Sequence, residues 1–208
     1  MEDRIDGCME RSMNGIKLPH ESLEMKAMVA YMKWLGEDVP EEKLKVYQGF
    51  PKVELPEVAA DLVKGKAVFD QHCVVCHGAN GQGIRSNEKS MYQFPPLWGE
   101  DSYNHGAGMH RVVTAAEFIK GNMPFQQATY DKPVLTDEEA YHVAAYINSF
   151  ARPLKSNAEL DFPDKKLKPV STPYGPWVDS FSPEQHKFGP FQPIMEFYEK
   201  EYGIKKNR

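Results

Sequence analysis

Apolar residues recur at helical spacing in separate stretches along the chain. From Glu21 to Leu35, Met25, Met28, Val29, Met32 and Leu35 fall on one face and Gly36 follows as a stop. Between Glu57 and His72 the stripe is Val58, Leu62, Gly65, Val68 and Phe69. A glycine inside a helix costs roughly 1 kcal/mol against alanine, so Gly65 predicts another helix crossing closely at that point. Thr114 to Lys120 is a short helix, ended at Gly121-Asn122-Met123-Pro124. Thr136 with Glu139 forms a capping box that opens a further helix, whose Ala140, Val143, Ala144 and Ile147 face inward before Arg152-Pro153 closes it.

The stretches between these stripes set the organisation. Residues 37–56 hold no sustained period and contain Pro40, Pro51 and Pro56, the pattern of a linker. Residues 57–152 then read as one all-α domain whose first and last helices cross near Gly65. Residues 1–36 are a polar stretch and one amphipathic helix, the remnant of a preceding domain. Residues 153–208 are rich in Pro but carry Trp177, Phe181, Phe188 and Phe191, whereas disordered tails are poor in aromatics. The expectation is an ordered, mostly extended arm with one short helix, Ile194 to Tyr202.

Composition narrows the function. A net charge of -5 gives no electrostatic footprint for nucleic acid, and no run of apolar residues is long enough to span a membrane. The 10 Met, 11 Phe and 10 Tyr are suited to enclosing a flat apolar macrocycle.

Cys73-Val74-Val75-Cys76-His77 supplies the chemistry. C-x-x-C-H is the attachment signature of haem c: the thiols add across the vinyl groups of one porphyrin and the adjoining His reaches its iron. Zinc would require a further ligand group, and the remaining cysteine, Cys8, is distant in sequence. A redox dithiol would follow a strand, whereas the residues before Cys73 are helical. Gly78-Ala79-Asn80-Gly81-Gln82-Gly83 is a tight turn beneath the haem edge, and Gln93-Phe94-Pro95-Pro96-Leu97-Trp98-Gly99 is an apolar wall. The second axial position decides between electron transfer and ligand chemistry. Met91, Met109, Met123, His105, His110 and Lys89 are the candidates; Met123 is favoured, on a loop made rigid by Pro124 and far enough along the chain to pass around the ring. His142 reads as structural.

Cys8 is either an ordinary buried thiol or an axial ligand to a second haem whose attachment motif lies upstream. Haem c is attached outside the bacterial cytoplasmic membrane, which implies a periplasmic protein. The acidic start Met1-Glu2-Asp3-Arg4 is no signal peptide, so the expected true N-terminus lies upstream.

Several blocks carry a family resemblance: Arg4-x-x-x-Cys8 with Arg11-Ser12-Met13-Asn14-Gly15, Cys73 to His77, Phe94 to Gly99, Gly106-Ala107-Gly108-Met109, Phe118 to Pro124, Pro173 to Pro176 and Gln185 to Phe191. They resemble the C-terminal portion of dihaem c-type cytochromes of the thiosulfate dehydrogenase type. The resemblance implies two cytochrome c domains with one haem each. At the first, ligated by His and Cys, thiosulfate is joined oxidatively to tetrathionate; the second passes electrons to a redox partner such as another cytochrome. Cys8 would then be the axial cysteine of the first haem, Arg4 a group holding the sulfur oxyanion, and His77 with Met123 the ligands of the electron-transfer haem. The expected function is an electron-transfer module with one haem c in this chain. A complete enzyme oxidising a reduced sulfur anion is the alternative, and a haem-based ligand sensor the second.

Overall fold

The computed structural model describes residues 1–43, 49–86 and 91–206. Lys89 falls outside the described residues. The regular elements of the described residues are helices apart from one short antiparallel pair, β1 (Ile84–Arg85) and β2 (Tyr92–Phe94), and an isolated bridge between Thr129 and Lys132. That hairpin was not visible in the sequence pattern.

Helices α3 (Leu62–His72), α5 (Val112–Asn122) and α6 (Asp137–Ser149) build the core. The stripe before the cysteines is helical only from Leu62, because Asp61 accepts hydrogen bonds from the backbone N–H groups of Val63 and Lys64 and so sets the start. Val58 lies outside the helix and is exposed. The crossing at Gly65 is present: a Cβ there would collide with the His142 carbonyl and with Tyr146 of α6. His142 supports that crossing from α6, since its Nδ1 accepts from the Asp61 backbone N–H at 3.1 Å. Thr136 and Glu139 form the full capping box at the start of α6, and Ala140, Val143, Ala144 and Ile147 are buried. The short helix at Thr114 is longer than the pattern shows, running from Val112 to Asn122, with Val112 and Val113 in the core.

Ahead of this core, α1 (Glu2–Gly7) runs into a π-helical turn over Cys8–Ser12, and α2 (Leu23–Leu35) begins at a Ser22 cap. Only Met25 of α2 is fully covered, while Tyr31, Trp34 and Leu35 are exposed. Behind the core, the last segment is ordered, as its aromatics predict, but it is less extended than expected. It contains α7 (Pro183–Phe188) as well as α8 (Gln192–Tyr202), started by Ser182 and held by a Pro at the first turn. Phe191, Ile194 and Tyr198 are buried in the same core as α3, α5 and α6. Tyr141 of α6 donates to the Phe188 carbonyl at 2.7 Å, and the Ala60 N–H donates to the same oxygen at 2.9 Å.

Candidate haem site and an arginine-lined cavity

Cys73 caps a single helical turn, α4 (Val74–His77), which places both thiols and the imidazole on one short rigid element. The thiols are not joined to each other; both are half-buried, and Val75 between them points to solvent at 80% exposure. Burial, with the neighbouring Cys76, pushes the Cys73 thiol up to about 11, so it stands protonated and unpaired. His77 is oriented by its Nδ1, which lies 2.8 Å from the Pro95 carbonyl. A carbonyl only accepts, so Nδ1 carries the proton and the Nε2 lone pair is left for a metal.

The surrounding loops hold that geometry. Gly78, Gly81 and Gly83 adopt positive φ, and a side chain at Gly81 would run into Trp98. The Leu97 N–H donates to the Gly81 carbonyl at 2.8 Å, tying the glycine turn to the wall after Pro95. Trp98 stacks on Phe150 at 4.1 Å and meets Phe69 at 5.2 Å, which fixes the wall to α3 and α6. Leu97, Phe118, Met123 and Val74 lie partly buried along the rim of this core.

This donor set fits a covalently attached porphyrin. Two free thiols stand one helical turn apart, an imidazole has its metal-facing nitrogen unprotonated, and half-buried apolar side chains lack full cover. Met123 caps α5 on its C-terminal side and is half-buried against the rim. Met91 is exposed at 61%. Met109 sits in a single 3-10 turn. His105 Nδ1 accepts from the Lys155 N–H at 2.7 Å, and His110 Nδ1 donates to the His105 carbonyl at 2.8 Å.

A second assembly surrounds Cys8. The thiol is exposed and lies at the start of the π-helical turn, so of the two alternatives the ordinary buried cysteine does not hold. Arg4, Cys8 and Arg11 fall on successive turns of one helical face and line a cavity of about 310 Å³. Arg111 closes it together with Gly106, Ala107, Gly108 and Tyr174. Arg11 is held over the Phe162 ring at 4.6 Å, and Asn104 donates to the Ser12 carbonyl at 2.8 Å. A wider hollow of about 770 Å³, bordered by Arg11, Lys17 and Lys155 and by Asp3, Asp6 and Glu10, opens beside it.

Sequence reasoning reached Arg4 and Cys8 but missed Arg11, Arg111 and Tyr174 as their neighbours. For Arg11 the signal was available: it follows Arg4 and Cys8 at helical spacing. For Arg111 and Tyr174 none was, since their approach depends on how a distant loop and the C-terminal arm pack against α1.

Comparison with known proteins adds to this geometry. A family model described as cytochrome c matches residues 62–151. A thiosulfate dehydrogenase of Psychrobacter arcticus is 43% identical over 164 residues, which is 79% of this chain and 48% of that protein. One of Stutzerimonas stutzeri is 43% identical over 151 residues, 73% of this chain and 47% of its own length. Among solved structures, the thiosulfate dehydrogenase of Marichromatium purpuratum in its as-isolated form superposes with a TM-score of 0.62 at 40% identity, covering 76% of this chain and 34% of that one. The chain thus spans about half the length of the curated relatives it matches.

Proposed function

Because residues 62–151 are a cytochrome c domain in a chain of the thiosulfate dehydrogenase type, we propose that this domain is the electron outlet of a periplasmic enzyme that oxidises a reduced sulfur anion. In this reading Cys73 and Cys76 would attach haem c, and His77 and Met123 would ligate its iron. When bound, the haem supplies an iron that takes up and releases a single electron. The chain's own residues do the rest: Pro95 holds the His77 ring in one tautomer, and the apolar stretch from Pro95 to Gly99 would help to shield the group from water. Met123 would supply a thioether, a ligand type that favours the reduced iron.

The observation that carries the enzymatic part is the cavity in which Arg4, Arg11 and Arg111 surround the exposed Cys8. Guanidinium groups suit a sulfur oxyanion because each presents a planar fork of charge-assisted donors. Two thiosulfate dianions brought together there would form one S–S bond and give up two electrons, which leave toward the outlet domain and a redox partner. Cys8 would serve as a ligand of a second haem, and Arg4 as a group of the same cavity that would hold the anion.

The test has two arms. Expression with haem-attachment machinery should give a thioether-type pyridine haemochrome that is lost in C73A/C76A; absence of covalent haem in the parent would remove the whole reading. In the enzyme expressed from its complete reading frame, Arg111→Gln should raise KM for thiosulfate by about tenfold or more, the order expected for losing one charge-assisted contact. No thiosulfate-dependent reduction in the parent would leave an electron carrier and refute the enzyme.

A further inference from the structure

The loop that carries Met123 runs from the end of α5 to the start of α6, and little of it is packed. Of residues 124–134 Ala128 is the one that is buried, while Phe125, Tyr130 and Val134 stand exposed. A segment with few buried apolar contacts opens at low cost in free energy, so its own packing does not fix the Met123 sulfur. Its two ends are held instead. Lys120, in the last turn of α5, forms an ion pair with Asp137, the first residue of α6. The pair closes the neck of the loop, and at 17% and 31% side-chain exposure it escapes much of the screening that weakens surface pairs. Burial works against the Asp137 carboxylate, yet Lys120 and the Glu54 N–H hold its pKa below the ordinary value.

The same two side chains grip the segment ahead of the domain. Lys120 Nζ also donates to the Lys52 carbonyl at 3.1 Å, and the Glu54 N–H donates to Asp137 Oδ2 at 2.8 Å. Pro51 lies on Gly121, where a Cβ would come within 2.7 Å of the Pro51 ring. Phe50 meets Phe118 edge-on at 5.4 Å, and Lys52 Nζ donates to Glu117 at 3.1 Å. Residues 50–54 therefore lie along the last part of α5, the helix that ends at Met123, and reach the start of α6.

We propose that Lys120 and Asp137 are positioning residues for the sixth ligand: their ion pair, braced by residues 50–54, sets the span of the loop and so holds the Met123 thioether on the iron. The inference rests on the reading that His77 and Met123 ligate a haem attached at Cys73 and Cys76. Both side chains act through Met123. A loop with its neck open has more conformations to lose each time the sulfur binds, so an external ligand displaces the thioether more readily. Residues 50–54, which the sequence pattern marks as linker, thereby take part in setting the iron's ligand.

The test titrates the ferric holoprotein with imidazole and follows loss of the near-infrared sulfur-to-iron band, in the wild type and in K120M, D137N and G65A. K120M and D137N should each bind imidazole about fivefold more tightly than the wild type, the order expected for losing one partly shielded ion pair. The double variant K120M/D137N should add little to either single one, because both remove the same pair. G65A, which loosens the α3–α6 crossing away from the loop, should lower the melting temperature and leave the imidazole affinity unchanged. Unchanged affinities in K120M and D137N, even with lower melting temperatures, would overturn the proposal and leave the pair a structural one. An equal gain in G65A would do the same, since the effect would then follow stability alone. Should K120M and D137N fail to fold, hydrogen exchange in the wild type decides: coupling is reciprocal, so the Glu54 amide should lose protection when imidazole occupies the iron, and protection indifferent to imidazole overturns the assignment. A wild-type holoprotein with intact haemochrome but no sulfur-to-iron band would instead refute the Met123 reading, and the proposal with it.

Discussion

Met123 and His77 come from different elements, one following α5 and one ending α4, and their proposed partnership would depend on a thioether meeting an iron. Met123→Ala in the holoprotein is expected to lower the midpoint potential and to abolish the near-infrared sulfur-to-iron band, as read by spectropotentiometry. An unchanged band would point to another sixth ligand. His110 gives a pH effect at the same scale. Burial first, then the Arg152 cation, hold its pKa at about 3, below the ordinary 6.5, and His105 is lowered in the same direction by burial. The unfolded chain therefore binds protons that the folded one refuses, so stability falls as pH drops below 6.5. Between pH 6.5 and about 5, above the carboxylate range, the melting temperature should decline, and His110→Asn should flatten that decline. The sequence offered His105 and His110 among the candidate iron ligands; the structure shows that each has its Nδ1 in a hydrogen bond to backbone, which no spacing reveals.

The α3–α6 crossing is the element on which the domain turns. Gly65→Ala would drive a methyl group into the backbone carbonyl of His142, which cannot move without displacing α6. A loss of about 1–3 kcal/mol is expected, measured by chemical denaturation of the holoprotein. Thr136→Ala removes the cap that satisfies the Glu139 N–H and should cost about 1 kcal/mol. Thr136 also holds the Glu139 carboxyl below its ordinary range, by donating its N–H and hydroxyl. That contribution is complete above the unfolded value near 4.5 and disappears as pH falls through the lower folded value, so the variant should differ least from the parent in acid. These elements were legible because a glycine in a helix and a Thr-x-x-Glu box are local signals. The start of α3 at Leu62 was also local, in Asp61, but the apolar stripe running back to Val58 masked it. The β1–β2 hairpin was illegible because each strand is too short to show alternation.

At the scale of the molecule, the C-terminal arm is part of the core. Phe191 is fully buried among residues of α6 and α8, and His186 is stacked on Trp177 at 4.4 Å while bonded to Asp179 at 2.9 Å. Phe191→Ala is expected to cost about 3–5 kcal/mol, a large share of a typical 5–15 kcal/mol stability. Denaturation of the holoprotein would show it as a lower midpoint, and an unchanged midpoint would make the arm an ornament. The aromatics announced that the arm is ordered, but the Pro residues were read as extension, whereas Pro193 and Pro183 sit in the first turn of helices, where a missing N–H costs nothing.

The sequence by itself determined the attachment chemistry, the all-α class and the crossing at Gly65. Each rests on residues close in the chain or on a residue type with a single physical use. Only the tertiary structure decided that Arg4, Cys8 and Arg11 are met by Arg111 and Tyr174, that His105 and His110 each turn one ring nitrogen to backbone, and that the Arg152 cation is buried over the Tyr103 ring. Those outcomes follow from which surfaces the packing of distant segments brings together, and a hydrogen bond or a buried cation exists only once that packing has excluded water.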